Sequence, residues 1–235
     1  MVWIAGADGC KSGWFRVSWE TGTSKLRFHL IKQAQDLLKT PPQPKVLALN
    51  IPIGLTEKGQ RDCDKQARQL LGWPRRTSVF PAPIRPALEA KNRIDASERT
   101  QAIDGRRVNV QTWAIFPKIC EVDKFLQSNL EARKRVHEVH PEVSFYAWAK
   151  GPMKASKKKR AGKLERRELV DGWLVPDAFD SARKEVPLKK HVSDDDILDA
   201  IAALWTANRI NDGNNETLPP KPQTDAKGLR MKIVY

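Results

Sequence analysis

The sequence predicts an α/β protein, a mixed sheet carrying one substantial helical insertion. Three observations carry this expectation. Three short strand-like segments separated by tight polar turns open the chain as a meander. A continuous apolar run, "KVLALNIPIGL", follows as a central strand. A long apolar helix opened by acids, "SDDDILDAIAALW", lies far downstream.

In order, "VWIAGAD" is an apolar run whose end leaves the sheet at Asp8, "WFRVSWE" alternates as a second strand, and "LRFHLI" follows the turn "TGTSK" as a third. "IKQAQDLLK" reads as a short helix stopped by "TPPQP". "KVLALNIPIGL" is a buried strand ended by Pro52. Residues 60–72 have helical spacing and a glycine terminator. The proline-rich "WPRRTSVFPAPIRP" is expected as extended loop, because proline removes donors and restricts its neighbours. Residues 87–104 and 111–129 read as helices, the second kinked or interrupted at Pro117. "KRVHEVH" alternates as a strand stopped by Pro141. A basic patch, "KASKKKRAGKLERR", is expected as a mobile solvated loop. A helix from about Asp194 to Ile210 and a final edge strand or ordered end, "GLRMKIVY", complete the chain. The organisation expected is one domain over 1–235, with a helical insertion at about 57–130 and a basic loop at about 150–168.

Forty-two Lys and Arg against 28 Asp and Glu give a net charge of +14, which favours an anionic partner, nucleic acid ahead of an acidic membrane surface. A basic surface with no partner is the alternative. Cys10, Cys63 and Cys120 are widely spaced, with no CxxC pair, so a reducing, cytoplasmic setting is expected. The N-terminus lacks a basic region and a secretory apolar segment, and no stretch approaches the length of a membrane span.

Against this basic background the acids before "AIAALW" stand out. Ser193 or Asp194 suits the N-cap, and acids in the first turn suit the helix dipole. Asp196 and Asp199, at i and i+3, share one face of a helix that packs inward; Asp195 and Asp199, at i and i+4, could do the same. Like charges so placed destabilise a packed helix unless a cation lies between them. Asp8 ends a core strand, where α/β proteins place ligands; a plain Asx turn is its structural alternative. Asn50 ends the strand "VLALN" at the same sheet edge, or simply satisfies a turn. Glu142, after "EVHP", is either an N-terminal helix acid or a fourth ligand. Together these residues suit Mg²⁺ or Mn²⁺, which prefer oxygen donors drawn from several elements. Two such ions about 3.5–4 Å apart can activate a water and stabilise a leaving oxygen in phosphodiester hydrolysis. The candidate catalytic set is therefore Asp8, Asn50, Glu142, Asp196 and Asp199, with Asp8, Asn50, Asp196 and Asp199 as metal ligands.

The motifs "GADGCKSGW", "NIPIGL", "RDCDKQARQLLG", "SVFPAPIR", "FPKICEVD", "EVHPEVSF", "SKKKRAGKLERR", "DDDILDA" and "GLRMKIVY", in that order over about residues 3–235, resemble the domain-of-unknown-function 429 family, proteins predicted to be ribonuclease H-like nucleases. The resemblance implies a ribonuclease H-like five-stranded mixed sheet, order 3-2-1-4-5, with helices on both faces. It also implies acids at the ends of the first and fourth strands and in the C-terminal helix, which match Asp8, Asn50, Asp196 and Asp199. The family's fourth-strand motif reads Asp-Ile-Pro-Ile-Gly, so Asn50 is a departure. An amide oxygen ligates a divalent ion but brings no charge, which lowers metal affinity.

Candidate substrate contacts are Lys11, Arg75, Arg76, Lys118, Lys157 and Lys158, with plain solvation as the alternative for Arg75, Arg76 and the lysine run. Lys118 and Glu121, at i and i+3, also fit a surface ion pair. His137 and His140 have the wrong spacing and company for zinc. Most of the tryptophans are expected in the core, while an exposed one could stack on an unpaired base. Three functions follow: a divalent-metal-dependent nuclease acting on DNA or RNA; a nucleic-acid-binding protein impaired in catalysis by Asn50; and a small-molecule phosphoryl-transfer enzyme, since Asp-Gly-x-Lys-x-Gly at residues 8–13 resembles the phosphate hairpin of actin-like ATPases.

Overall fold

A computed structural model describes residues 1–235. Strands β1 (Trp3–Cys10), β2 (Gly13–Glu20), β3 (Leu26–Ile31), β4 (Val46–Asn50) and β5 (Val136–Glu138) form one mixed sheet of order β3-β2-β1-β4-β5, as expected. The first three strands are an antiparallel meander, while β4 runs parallel to β1 with Asp8 opposite Asn50, and β5 runs parallel to β4. The ends of β1 and β4 therefore meet at one edge. Helices α1 (Asp62–Leu71), α2 (Arg93–Asp104), α3 (Val110–Ser128) and α4 (Leu130–Arg135) intervene between β4 and β5, and α5 (Pro141–Trp148), α6 (Arg160–Trp173), α7 (Ala178–Glu185) and α8 (Asp194–Asn211) follow. A hairpin of β6 (Thr217–Thr224) and β7 (Arg230–Val234) ends the chain, and Val234 forms a parallel bridge with Val139 just beyond β5. No helix is long and apolar enough to cross a membrane.

Alternation along the strands sorts the core into two layers. Ile4, Phe15, Val17 and Ala48 face α8 and the residues of α5 to α7 that pack with it. Ala5, Ala7, Trp14, Leu47 and Leu49 face Leu37, Ile119, Val122 and Leu126 on the other side. Helix α8 is buried on nearly every side from Ile197 to Leu204, so it is a core helix rather than an amphipathic surface one. It approaches β1 at Gly6: a Cβ there would lie 2.0 Å from the Leu204 nitrogen and 2.3 Å from the Ala200 oxygen.

Several elements differ from expectation. The segment after β3 is only a 3-10 turn, Ala34–Leu37, because Ile31 is still paired with Trp14. Helix α2 starts at Arg93 because the Asn92 side chain caps it, accepting from the nitrogens of Ile94 and Asp95 at 2.9 and 3.0 Å. The segment expected as extended loop contains two 3-10 turns, Arg75–Ser78 and Arg85–Glu89, whose flanking or first-turn prolines lack only donors that such turns leave unused. Helix α3 runs unbroken through Pro117. The basic patch is not a free loop. From Arg160 it is helix α6, where buried Arg166 donates to the carbonyls of Ala155 and Gly162 at 3.2 and 2.8 Å and Glu165 accepts from the nitrogens of Lys154 and Ala155 at 2.8 and 3.1 Å.

Gly6→Ala must push α8 off β1. Overpacking against backbone puts the expected cost at about 3 kcal/mol or more, read as a lowered urea midpoint. His137 is pushed down to about 4, by burial first and then by Lys232 and Arg230. With an unfolded value of about 6.5, the unfolded chain takes up the proton first. The contribution of neutral His137 is thus full above about pH 6.5 and is lost as the pH falls toward 4. His137→Gln should flatten the acid loss of stability across that window relative to the native chain.

Candidate functional site

The site lies where β1 and β4 end beneath the first turns of α8. Asp8 and Gly6 share a face of β1, so the strand that meets Ala200 and Leu204 through Gly6 presents Asp8 to the preceding helical turn. That turn carries Asp196 and Asp199. Asp8 and Asp199 are both buried, 6% and 4% exposed. Asp8 Oδ1 accepts the Asn50 amide and the Gly9 nitrogen, each at 2.8 Å. Ser193 caps α8 in a reciprocal box: its Oγ accepts from the Asp196 nitrogen at 3.2 Å, and Asp196 Oδ2 accepts from the Ser193 nitrogen at 2.8 Å. The cap is thus Ser193 rather than Asp194.

The acids of "SDDD" divide their work. Asp194 pairs with Arg183 at 2.7 Å and Lys189 at 3.0 Å, and Asp195 pairs with Lys163 at 3.4 Å. The acids whose charges act on Asp8 are Asp196 and Asp199, at i and i+3. Glu142, in the first turn of α5, reaches the same pocket. Its Oε1 accepts from Arg166 Nη2 at 2.6 Å, while its buried Oε2 has no partner.

Lys157 sits among these acids, its Nζ bonded to Asp199 Oδ2 at 2.6 Å. Burial opposes its charge, but Asp199 first, with Asp8 and Glu142 behind, holds the ammonium above its ordinary range. Burial first, then the charges of Asp199 and Asp196, pushes Asp8 well above the usual carboxylate range, against Lys157 and the Asn50 amide. Burial likewise raises Asp196. His140, at the N-cap of α5, feels Glu142, Lys157 and Asp199, and burial keeps it below its ordinary value. Four carboxylates (Asp8, Glu142, Asp196, Asp199) thus face two cations, Lys157 and Arg166, a deficit of positive charge in a buried place.

The donors are hard oxygens from β1, β4, α5 and α8, one of them buried and unpartnered, and this set suits a divalent cation such as Mg²⁺ or Mn²⁺. Asn50 is brought to the cluster, but its amide nitrogen faces Asp8, so only its oxygen remains for a cation. A second acid group, Cys63, Asp64 and Glu138, has ligand atoms within 4.8 Å of one another. There Arg61 already fills the gap, its Nη2 bonding Asp64 at 2.5 Å and Glu138 at 2.7 Å, and its Nη1 donating to the Ile53 and Gly54 carbonyls. Nothing in the spacing of those residues announces that knot.

The candidate substrate contacts scatter. Lys11 is exposed at the β1–β2 turn, and Ser12 beside it bonds His191 at 2.6 Å. Lys118 is tied inward, donating to the Gly13 carbonyl at 2.7 Å and lying 4.8 Å from the Trp14 ring centre. It makes no surface pair with Glu121, which accepts instead from the Trp14 indole at 3.1 Å and the Ala34 nitrogen at 2.5 Å. Lys158 is exposed, and Lys157 belongs to the acid pocket rather than to the surface. Arg75 and Arg76 lie on the 3-10 turn whose Ser78 carbonyl meets His140 Nε2 at 3.3 Å. His140, Arg166 and the inward role of Lys157 were not foreseen; a histidine before "PEV" and an arginine in a basic helix carry no signal until the fold brings them together.

The sequence matches the family described as "Protein of unknown function (DUF429)" over residues 6–224. The chain belongs to that family. No curated protein and no solved structure matches it. Within the family's span lie all of the pocket's acids, from Asp8 to Asp199.

Lys157→Ala leaves Asp199 buried and unpaired, so a loss of about 2 kcal/mol is expected. The double variant Lys157→Ala/Asp199→Asn should lose less than Lys157→Ala alone. Urea denaturation at neutral pH checks both.

Proposed function

We propose that the chain is a divalent-metal-dependent nuclease that hydrolyses phosphodiester bonds in nucleic acid at the strand-end pocket. The observation that carries this reading is the convergence of Asp8, Glu142, Asp196 and Asp199, drawn from three separate elements, on a buried place with too few cations. Asp8, Asp196 and Asp199 would hold the ion, with the Asn50 amide oxygen and the free Glu142 Oε2 at its margin. Once bound, Mg²⁺ or Mn²⁺ supplies an activated water and charge for the leaving oxygen. Lys157 balances Asp199 and would offer its ammonium to a phosphate oxygen entering the pocket. Arg166 fixes Glu142, and burial holds His140 below its ordinary value. The net charge of +14 draws the polyanion to the surface around the pocket.

Asn50 and Lys157 together favour a second reading, a nucleic-acid-binding protein with little cleavage. One removes a negative charge from the cluster, and the other supplies a tethered positive one.

The test incubates labelled DNA and RNA oligonucleotides with the protein and Mn²⁺ or Mg²⁺. Cleavage should fall by about 100-fold in Asp8→Asn and vanish when the metal is chelated. Cleavage that survives either change overturns the nuclease reading. Asn50→Asp adds a carboxylate and should tighten Mn²⁺ binding by about 10-fold in calorimetry. A native chain that binds without cutting, and gains cleavage with Asn50→Asp, favours the second reading.

A further inference from the structure

Eight tryptophans occur in the chain, and seven are at least half-buried; Trp73 alone is open, 80% exposed, with Phe80 nearby 42% exposed. Open indoles of this kind are uncommon where there is a core to join. The segment that carries it is also unusual in charge. From Lys65 to Leu88 there is no acid, while Lys65, Arg68, Arg75, Arg76 and Arg85 supply five cations, of which Arg85 is held by Asp123 and Asp225 and Lys65 by Asp62.

This segment is built rather than loose. Val79 is buried with Cys63, Ala67 and Val143, and Arg68 donates to the Val79 carbonyl at 2.8 Å. Thr77 Oγ1 donates to the Pro74 carbonyl at 2.9 Å, and Ser78 Oγ to the Arg75 carbonyl at 2.8 Å, so the turn between Trp73 and Phe80 closes on itself. Arg76 is exposed, and the buried Nε of Arg75 has no partner. The turn touches the pocket's wall through Ser78 and His140, and His140 senses Glu142, Lys157 and Asp199. Residues 152–163 again contain no acid and six cations, and Lys157 among them reaches into the pocket at Asp199. Two acid-free basic segments therefore touch the acidic pocket or its wall, and one of them displays an open aromatic plane.

We propose that Trp73, Arg75 and Arg76 form a platform that captures single-stranded nucleic acid beside the pocket, the indole stacking on an unpaired base while the guanidiniums hold flanking phosphates. Phosphate alone would need only the cations. The exposed indole adds a face that matches an unpaired base, whereas in a blunt duplex the base faces are stacked on one another. The basic segments match a polyanion and disfavour an acid-poor protein surface. This deepens the nuclease reading by naming an unpaired strand as its substrate, and it rests on that reading for the pocket's purpose.

Binding is measured by fluorescence anisotropy with the full chain in chelator, so that capture is read apart from cleavage. The probes are short labelled single strands of DNA and RNA and a blunt duplex of the same sequence. The single strand should bind more tightly than the duplex. Trp73→Ala should weaken the single strand by roughly 5- to 150-fold, the worth of one base–aromatic stack, and leave the duplex unchanged, while Trp73→Phe keeps most of the affinity. Arg76→Gln should lower the slope of log affinity against log salt by about 0.7, one single-strand phosphate. Trp73 is exposed, so its variants should keep the native urea midpoint. No binding, equal binding of strand and duplex, or an unchanged Trp73→Ala overturns the platform. Strand capture that depends on Trp73, without cleavage in Mn²⁺, supports the platform and retires only the nuclease. Cleavage that ignores Trp73 does the reverse.

Discussion

Helix α8 can lie against β1 only because residue 6 has no side chain. The backbone of Ala200, Ala203 and Leu204 occupies the space a Cβ would need, so strand and helix meet backbone to backbone. That contact sets the register of the site. Two residues along a strand span about 6.6 Å and one helical turn about 5.4 Å, so the step from Gly6 to Asp8 runs nearly level with the turn from Ala200 back to Asp196. Asp8, Asp196 and Asp199 come together because the crossing point lies one step below them. Parallel pairing of β4 with β1 then adds Asn50 from the neighbouring strand. Four residues distant in sequence are thus aligned by one glycine and one strand pairing.

The chain neutralises its buried acids in two different ways. Arg61 lies between Asp64 and Glu138, and Arg85 bonds Asp123 through both terminal nitrogens, at 3.0 Å each, and also reaches Asp225. In both knots a guanidinium fork matches carboxylates with little left over, which suits a structural joint. The strand-end pocket is different. Its central cation is a lysine, a point charge that satisfies Asp199 and leaves other oxygens over. Asp8 Oδ1 takes both of that residue's hydrogen bonds, and Glu142 Oε2 takes none. Incomplete neutralisation of a buried cluster costs stability, and that cost is what sets this pocket apart from the two arginine knots.

The sheet was legible because its signals are local. β1 to β4 follow from alternation, apolar runs and turn residues, and α8 follows from a long apolar segment opened by a serine cap. Asp8, Asn50, Asp196 and Asp199 could be placed together because strand ends and a helix start are readable positions. Two of the misreadings share a cause: partners distant in sequence. The run "KASKKKRAGKLERR" looks solvated, yet Arg166 is buried against Glu142, and Gly162 packs on Ser156, where a Cβ would lie 2.1 Å from the carbonyl oxygen. Lys118 and Glu121 have ion-pair spacing, yet each finds a better partner on the β1–β2 hairpin and the turn after β3. Strand β6 was hidden by Pro219, Pro220 and Pro222, which disfavour a ladder. They are tolerated because the pairing breaks between Leu218 and Gln223, so those residues need no donors.

The bridge between Val139 and Val234 bears on how the molecule avoids its own kind. β5 is the last strand of the main sheet and has only three residues. An outer strand presents unpaired backbone groups to which another chain can add, and shortness already limits that edge. Here β7 lies alongside the chain just past β5, and Arg85, held between Asp123 on α3 and Asp225 on the hairpin's turn, ties that cover to the helical layer. The terminal hairpin therefore acts as a guard strip. Loss of its tether would uncover backbone donors and acceptors that could zip two copies together, with self-association as the visible symptom rather than simple unfolding.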